Sequence, residues 1–162
     1  MGSAFLMGLL MGLLPVGGAG DKLPAPTRAQ LEASTNNLKS IALAIINCSD
    51  TNNREMPTNI TSKGGKALLS WRVAILPYIE EAPLYKEFKL DEPWDSENNK
   101  KLIAKMPKVY APVRVKAKEG ETFYQVFTGE NTLFDPKGPA PRFPASITDG
   151  TSNTGLVFEA GL

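Results

Sequence analysis

The amino-terminal part of the chain carries apolar residues at helical spacing, and this pattern constrains the fold more than any other feature. Residues three, four or seven positions apart share one face of a helix. The residues on this face are Leu31, Leu38, Ile41, Ala42, Ile45 and Cys48. Thr27 and Gln30 have the capping-box pattern, in which each side chain bonds the other residue's backbone N–H. The sequence therefore predicts a helix over residues 28–48, ended by the turn-forming polar residues 49–53.

The middle of the chain predicts three shorter helical pieces. Apolar spacing indicates a helix over residues 67–80, which Pro77 kinks or stops early because proline has no N–H to donate. Residues 83–88 suit a helical turn. Ser96 is a favourable N-cap for a third helix, which should stop before Pro107.

The periodicity then changes from helical to alternating. Apolar and polar side chains alternate over residues 109–115, which indicates a strand. Residues 122–128 and 154–159 are rich in aromatic and β-branched residues and predict two more strands. Helices followed by strands favour an α+β fold, with a long amino-terminal helix packed on an antiparallel sheet and short helices between. We expect one domain over residues 27–162, after a proline-containing linker at residues 21–26.

Residues 1–20 form a signal-like apolar segment. Its apolar run, residues 4–16, is shorter than the roughly 20 residues that cross a bilayer, but it suits the core of a signal peptide. Small residues follow, and cleavage is expected after Ala19. We therefore expect an exported protein that is periplasmic, extracellular or associated with the cell envelope. The alternative is an uncleaved tail that holds the protein at a membrane, the one membrane contact we expect.

The composition argues against several function classes. The formal net charge is +1, which predicts no nucleic-acid partner. The chain has no histidine, so the commonest general base and metal ligand are missing. Its single cysteine, Cys48, lies on the apolar helix face, where a buried hydrophobic role is expected. We predict that the protein is not an enzyme and has no catalytic residues and no organic cofactor.

The best candidate for a ligand site is the stretch Asp-Gly-Thr-Ser-Asn at residues 149–153. The side-chain oxygens of Asp149, Ser152 and Asn153, with backbone carbonyls, are suitable ligands for calcium. The same residues also suit a tight turn, in which Asp149 caps and Gly150 supplies a positive φ. We favour the structural turn and keep calcium as the one metal that the sequence suggests.

Three stretches of the sequence carry a resemblance to a known family: residues 36–53, 69–99 and 147–161. They include the block Ser-Trp-Arg-Val-Ala-Ile-Leu-Pro-Tyr at 70–78 and the block Asp-Gly-Thr-Ser-Asn-Thr at 149–154. In this order they resemble domain-of-unknown-function family 1559, bacterial proteins described as pseudopilin-like, prepilin-like or solute-binding-like. The motif residues, to which we assign structural roles, are Trp71, Pro77, Tyr78, Trp94, Asp149 and Gly150.

The resemblance implies a pseudopilin-like arrangement, in which a long amino-terminal helix packs on an antiparallel sheet. Family members commonly begin with a prepilin leader and a long apolar helix. The helix predicted at residues 28–48 corresponds to the globular-domain part of that helix. Members often continue beyond the final Glu-Ala-Gly, so we also expect this chain to be truncated within its domain at the carboxyl end.

Two functional hypotheses follow. The first is a non-enzymatic exported domain that acts through protein–protein contacts at the bacterial envelope, with other envelope or pseudopilin-like proteins as partners. The alternative is a secreted module that binds a small molecule, a glycan or calcium. Such a module would use the loops at residues 129–144 and 149–153, because loops on a rigid scaffold commonly carry binding sites.

Overall fold

A computed structural model of the protein describes residues 25–130, 132–135 and 138–160. The predicted signal-like segment and residues 21–24 of the predicted linker lie outside the described residues. None of the helices in the described part has the length and apolar character needed to cross a bilayer.

The predicted amino-terminal helix is present as α1, Arg28–Thr51. Its capping box forms as expected: the Gln30 backbone N–H donates to Thr27 Oγ1 at 3.2 Å, and the Thr27 N–H donates to Gln30 Oε1 at 2.9 Å. The helix continues three residues beyond the predicted end. The Thr51 hydroxyl donates back to the carbonyls of Asn47 and Cys48, so it supports the last turn instead of breaking it.

The prediction of a single helix over residues 67–80 is wrong at its start. Ala67–Leu69 is strand β2, which pairs antiparallel with β1, Ile60–Thr61. Helix α2, Trp71–Ala74, begins only after Ser70, whose hydroxyl accepts the Arg72 N–H at 3.3 Å.

Pro77 interrupts the predicted helix as expected. It lies in the first turn of a short 3-10 helix, Leu76–Ile79, where the missing N–H of proline costs no intrahelical bond. Two more helices match the predicted pieces: α3, Ala82–Glu87, and α4, Glu97–Leu102. Ser96 is the N-cap of α4, and its hydroxyl accepts the Asn99 N–H at 3.2 Å.

The strand predicted at residues 109–115 is absent. Lys108–Tyr110 instead forms a 3-10 helix, following another at Ile103–Lys105, and the chain is irregular from residue 111 to 118. Alternation identifies two faces of a strand, but it does not supply the partner strand that a ladder requires.

The other two predicted strands are present but short. β3, Tyr124–Gln125, pairs antiparallel with β4, Phe158–Glu159. The α+β prediction is confirmed, and the described strands form two separate two-stranded sheets.

One face of α1 forms the centre of the core. The helix packs along the 3-10 helices Leu76–Ile79 and Lys108–Tyr110, and it also contacts β4. The buried core residues on and around it include Ile41, Ala44, Ile45, Met56, Leu69, Trp71, Ile75, Tyr110 and Tyr124. The block at residues 70–78 therefore lies where α1 meets the rest of the fold.

Candidate functional site

The stretch at residues 149–153 forms the tight turn that its sequence favours. Gly150 has φ +84°, the left-handed conformation that glycine adopts without steric cost. The Asn153 N–H donates to Gly150 O at 3.0 Å, and its Nδ2 donates to Asp149 O at 2.9 Å. The Thr154 hydroxyl also donates to Gly150 O, at 3.2 Å. The turn is therefore held mainly by its own backbone carbonyls.

The three predicted calcium ligands lie on this one turn, and all three are exposed. Asp149 is the sole carboxylate among them. In the described residues, no group of three or more His, Cys, Asp or Glu side chains is placed to hold a metal ion. Calcium binding by Asp149, Ser152 and Asn153 stays a prediction.

The block at residues 70–78 builds a buried polar centre around Arg72. This side chain is 6% exposed, and its guanidinium lies 4.5 Å from the centre of the Trp71 ring. Its Nη1 donates to the Ser70 hydroxyl at 3.1 Å, and its Nη2 donates to the Tyr124 carbonyl on β3. The Tyr110 hydroxyl donates to the Arg72 carbonyl at 3.0 Å. Arg72 thus connects three segments that are far apart in the sequence.

The charge of this centre is unusual, because Arg72 forms no ion pair with a carboxylate among the described residues. Its Nε is buried without a hydrogen-bond partner. Burial lowers the pKa of Arg72 to about 10, so the guanidinium stays charged at neutral pH. Burial also raises the pKa of Tyr110, and the charge on Arg72 partly opposes that rise. Stacking on Trp71 supplies part of the missing stabilisation, because an aromatic face attracts a cation.

A small apolar cavity adjoins Arg72. Its volume is about 30 Å³, enough for a water molecule but far below the roughly 300–1,000 Å³ of typical small-molecule pockets. Its lining residues include Val73, Leu76, Leu84, Phe88, Leu102 and Met106. Gly120 closes one side with φ +80°, and a Cβ there would lie 2.1 Å from Ile103 Cγ2. The cavity is a packing feature of the core.

The remaining motif residues also have structural positions. The Tyr78 hydroxyl shares a 2.5 Å hydrogen bond with Thr51 Oγ1 at the end of α1, and the Trp94 N–H donates to Leu68 O at 3.0 Å. Both aromatic rings pack against the core cluster. Cys48 is buried, and burial raises the pKa of its thiol, against the opposing effect of a hydrogen bond with Tyr78. A thiol with a raised pKa is a weak nucleophile.

Sequence reasoning missed a second buried polar residue, Asn99, which is 0% exposed. Its Oδ1 accepts the Lys89 N–H at 3.0 Å, and its Nδ2 donates to the carbonyls of Lys89, Glu92 and Pro93 at 2.9, 3.2 and 3.1 Å. The sequence did carry a signal for this residue. The loop at residues 89–93 has no regular structure, so its backbone groups need hydrogen-bond partners. Asn99, three positions after the Ser96 cap, supplies them.

Comparison with known protein families gives a match. A family model described as "Protein of unknown function (DUF1559)", with the short name SBP_bac_10, matches residues 32–144. Searches of curated proteins and of solved structures found no match. The matched residues cover well over half of the chain and include the whole block at residues 70–78, so the resemblance stated from the sequence motifs is confirmed. The chain belongs to the DUF1559 family of proteins of unknown function.

Proposed function

We propose that this chain is a non-enzymatic, exported, pseudopilin-like domain of the bacterial envelope that acts through contacts with other proteins. The observation that carries this proposal is the uneven burial of helix α1. One end of the helix is fixed in the core, and the other end is exposed, as is expected of a helix that presents a globular body at a membrane or in an assembly.

The carboxyl half of α1 is the fixed part. Ile41, Ala44 and Ile45 are 0% exposed. Before Ser34, every residue of the helix is exposed or only half-buried, and Leu31 keeps 51% of its surface exposed. At about 1.5 Å per residue the helix is about 36 Å long, so its first two turns account for about 10 Å of it. In the sequence, the signal-like segment precedes this exposed end.

The test is fractionation of the native host, followed by amino-terminal sequencing of the recovered protein. The proposal expects recovery in the envelope fraction, with Met1 or a longer prepilin-type leader still attached. A soluble exported protein that starts near Gly20 or Asp21 would favour the free binding module instead. Recovery in the cytoplasm alone would contradict export and, with it, both hypotheses.

A matched pair of positions tests the role of α1. Leu31 lies on the exposed end, and Leu43 lies on the fixed half with a similar exposure of 58%. A photo-crosslinking residue at position 31 should capture an envelope protein or a second copy in living cells. The same group at position 43 is the control and should capture less. Equal capture at both positions would show that the exposed end of α1 has no special part in the contact.

The second candidate function, a calcium-binding module, has one observation in its favour. The Asp149 carboxylate and the Ser152 hydroxyl form no hydrogen bond with other described residues, so these exposed oxygens are open to an ion. Thermal unfolding with and without millimolar calcium tests it. A rise in Tm that Asp149→Asn abolishes would support the module. An unchanged Tm would remove calcium as a ligand.

A further inference from the structure

Residues 111–117 have the sequence of a strand but pair with no other strand of the described residues. They follow the 3-10 helix Lys108–Tyr110 and precede a turn at residues 119–120. The backbone groups of residues 112–117 form no hydrogen bond within the described part of the chain. The backbone groups of a half-buried segment are normally paired. Because those of residues 112–117 are unpaired, they are available to an added strand.

The segment is also basic: Arg114 and Lys116 lie within it with no acidic residue, and Lys108 and Lys118 flank it, while Glu119 and Glu121 lie in the turn that follows. Lys108, Arg114, Lys116 and Lys118 form no ion pair with other described residues. Among the described residues, the basic side chains in ion pairs are those of Arg28, Arg54, Lys89, Lys101 and Lys105. The nearby Glu121 carboxylate accepts the Lys118 backbone N–H at 2.8 Å, which engages it in the turn. Such a surface attracts an acidic partner and disfavours a basic one.

An open groove of about 430 Å³ runs beside the segment. Its lining combines residues 111, 112 and 115–117 of the segment with Ala104, Met106 and residues 118–121 of the following turn. In strand addition, the backbone ladder supplies affinity and such grooves receive alternate side chains of the added peptide.

The position of Pro112 identifies the edge that a partner would use. Successive residues of a strand direct their N–H and C=O groups to opposite edges. Proline has no N–H, so within sheets it faces the unpaired side. Once the segment is extended, the pairing edge is therefore the one that carries the backbone groups of Val113, Val115 and Ala117.

We propose that residues 111–117 bind an extended acidic segment of a partner protein by adding it as an antiparallel or parallel strand. The inference rests on the proposed function, which places the partner at the bacterial envelope. It adds the contact surface on this chain and the chemistry of the partner. Pairing would straighten the segment, which bends at residues 113–115 in the structure.

The test uses the full chain and two capped probe peptides, one alternating valine with glutamate and the other alternating valine with lysine. Calorimetric titration should give a Kd for the glutamate peptide at least about tenfold lower than for the lysine peptide. The double variant Arg114→Glu, Lys116→Glu should reverse that preference. The matched control Lys63→Glu, Lys66→Glu makes the same charge change at exposed residues near the β1–β2 turn and should bind as the wild type does.

Amide hydrogen exchange provides the readout that separates strand addition from simple charge attraction. The glutamate peptide should protect the amides of Val113 and Val115 and leave those of Arg114 and Lys116 unprotected. Val115→Pro should weaken binding by at least about tenfold, because it removes one ladder donor. Absence of binding at about 1 mM peptide would overturn the proposal, as would binding that Val115→Pro and the charge reversal leave unchanged.

Single-stranded DNA is the competing class of partner for a basic surface. If an oligonucleotide displaced the glutamate peptide and bound the Val115→Pro variant as well as the wild type, the segment would be an anion-binding patch and the proposal would fail. The peptide assay does not depend on cellular location. Peptide binding by a protein found in the cytoplasm would overturn the proposed function alone, and an envelope protein that binds no peptide would overturn this inference alone.

Discussion

Asn99 and Arg72 are both buried polar side chains, yet they organise their regions of the molecule in different ways. Asn99 forms local contacts: it bonds the loop at residues 89–93, and all its partners lie within ten residues of it. Arg72 forms long-range contacts, because its partners Tyr110 and Tyr124 lie 38 and 52 residues away in the sequence. Both polar atoms of the Asn99 side chain have partners, whereas Arg72 keeps one buried nitrogen without a partner.

The comparison shows how sequence distance affects the quality of buried polar contacts. A loop of a few residues closes around one amide at small entropic cost, so each of its backbone groups can reach a good partner. Segments separated by dozens of residues are brought together by the whole core. The Arg72 guanidinium therefore donates two hydrogen bonds and stacks on the Trp71 ring, but its Nε–H has no acceptor.

The largest effect is expected from Asn99→Ala, which breaks the local contacts. It removes the Oδ1 and Nδ2 contacts to the loop and leaves the Lys89 N–H and the Glu92 carbonyl without a partner, whereas the Lys89 and Pro93 carbonyls still accept the Glu92 and Ser96 N–H groups. Buried groups left unpaired cost about 1–3 kcal/mol each, and we expect a loss of about 3 kcal/mol in the free energy of unfolding. Urea denaturation measures it. Asn98→Ala is the matched control, because Asn98 is half-buried and donates only to Glu87 O and to Asn99. Equal losses in the two variants would show that the loop does not depend on Asn99.

The next-largest effect is expected at Gly120, which closes the cavity beside Arg72 and tests how tightly that part of the core is packed. Gly120→Ala places a Cβ against Ile103 at a positive φ, whereas Gly65→Ala meets the same backbone penalty, φ +78°, with nothing within 4 Å. Overpacking typically costs about 1–3 kcal/mol. Gly120→Ala should therefore lower the unfolding free energy by about 2 kcal/mol more than Gly65→Ala does, measured by the same urea titrations. A difference near zero would show that the cavity beside Arg72 relaxes freely.

Local patterns predicted much of the local structure. The capping box at Thr27 and the apolar period specify α1 through neighbours in sequence, and the Asp-Gly pair at residues 149–150 specifies its turn in the same way. The predicted end of α1 was three residues short because Thr51 bonds back to its own helix. The turn was therefore predictable, and its use as a calcium site is still untested.

Long-range structure was not predictable in the same way. Residues 109–115 alternate as a strand does, but a ladder needs a partner, and the described chain provides none. In that alternation Tyr110 falls between the apolar residues Val109 and Ala111, on what would be the polar face of a strand, yet it is 1% exposed and its hydroxyl donates to the Arg72 carbonyl. The burial of Arg72 depends on Tyr124, 52 residues away, and neither residue's immediate sequence indicates the other.

A pH-dependent effect tests the long-range contacts directly. Because burial raises the pKa of Tyr110, the unfolded chain releases this proton near pH 10, before the folded protein does. The stabilisation is complete below about pH 10 and is lost as the pH rises above it. Tyr110→Phe should lose about 1.5 kcal/mol at neutral pH, because the Arg72 carbonyl loses its partner, and should show a shallower decline above pH 10. Tyr85→Phe, at a half-buried tyrosine, is the control. Parallel declines for the wild type and Tyr110→Phe would contradict this assignment.

The smallest effect concerns a third polar set, the exposed capping box at the start of α1, which is as local as the Asn99 loop but not buried. Thr27→Ala removes the hydroxyl that accepts the Gln30 N–H and should cost about 1 kcal/mol. Thr35→Ala, at an exposed position inside the helix, is the control and should be neutral or slightly stabilising, because alanine has the higher helix propensity. Hydrogen exchange of the first-turn amides should locate the loss there. If Thr27→Ala instead raised exchange throughout the core, the start of α1 would be coupled to the body of the protein, and the uneven burial of this helix would not divide it into a fixed end and a presenting end.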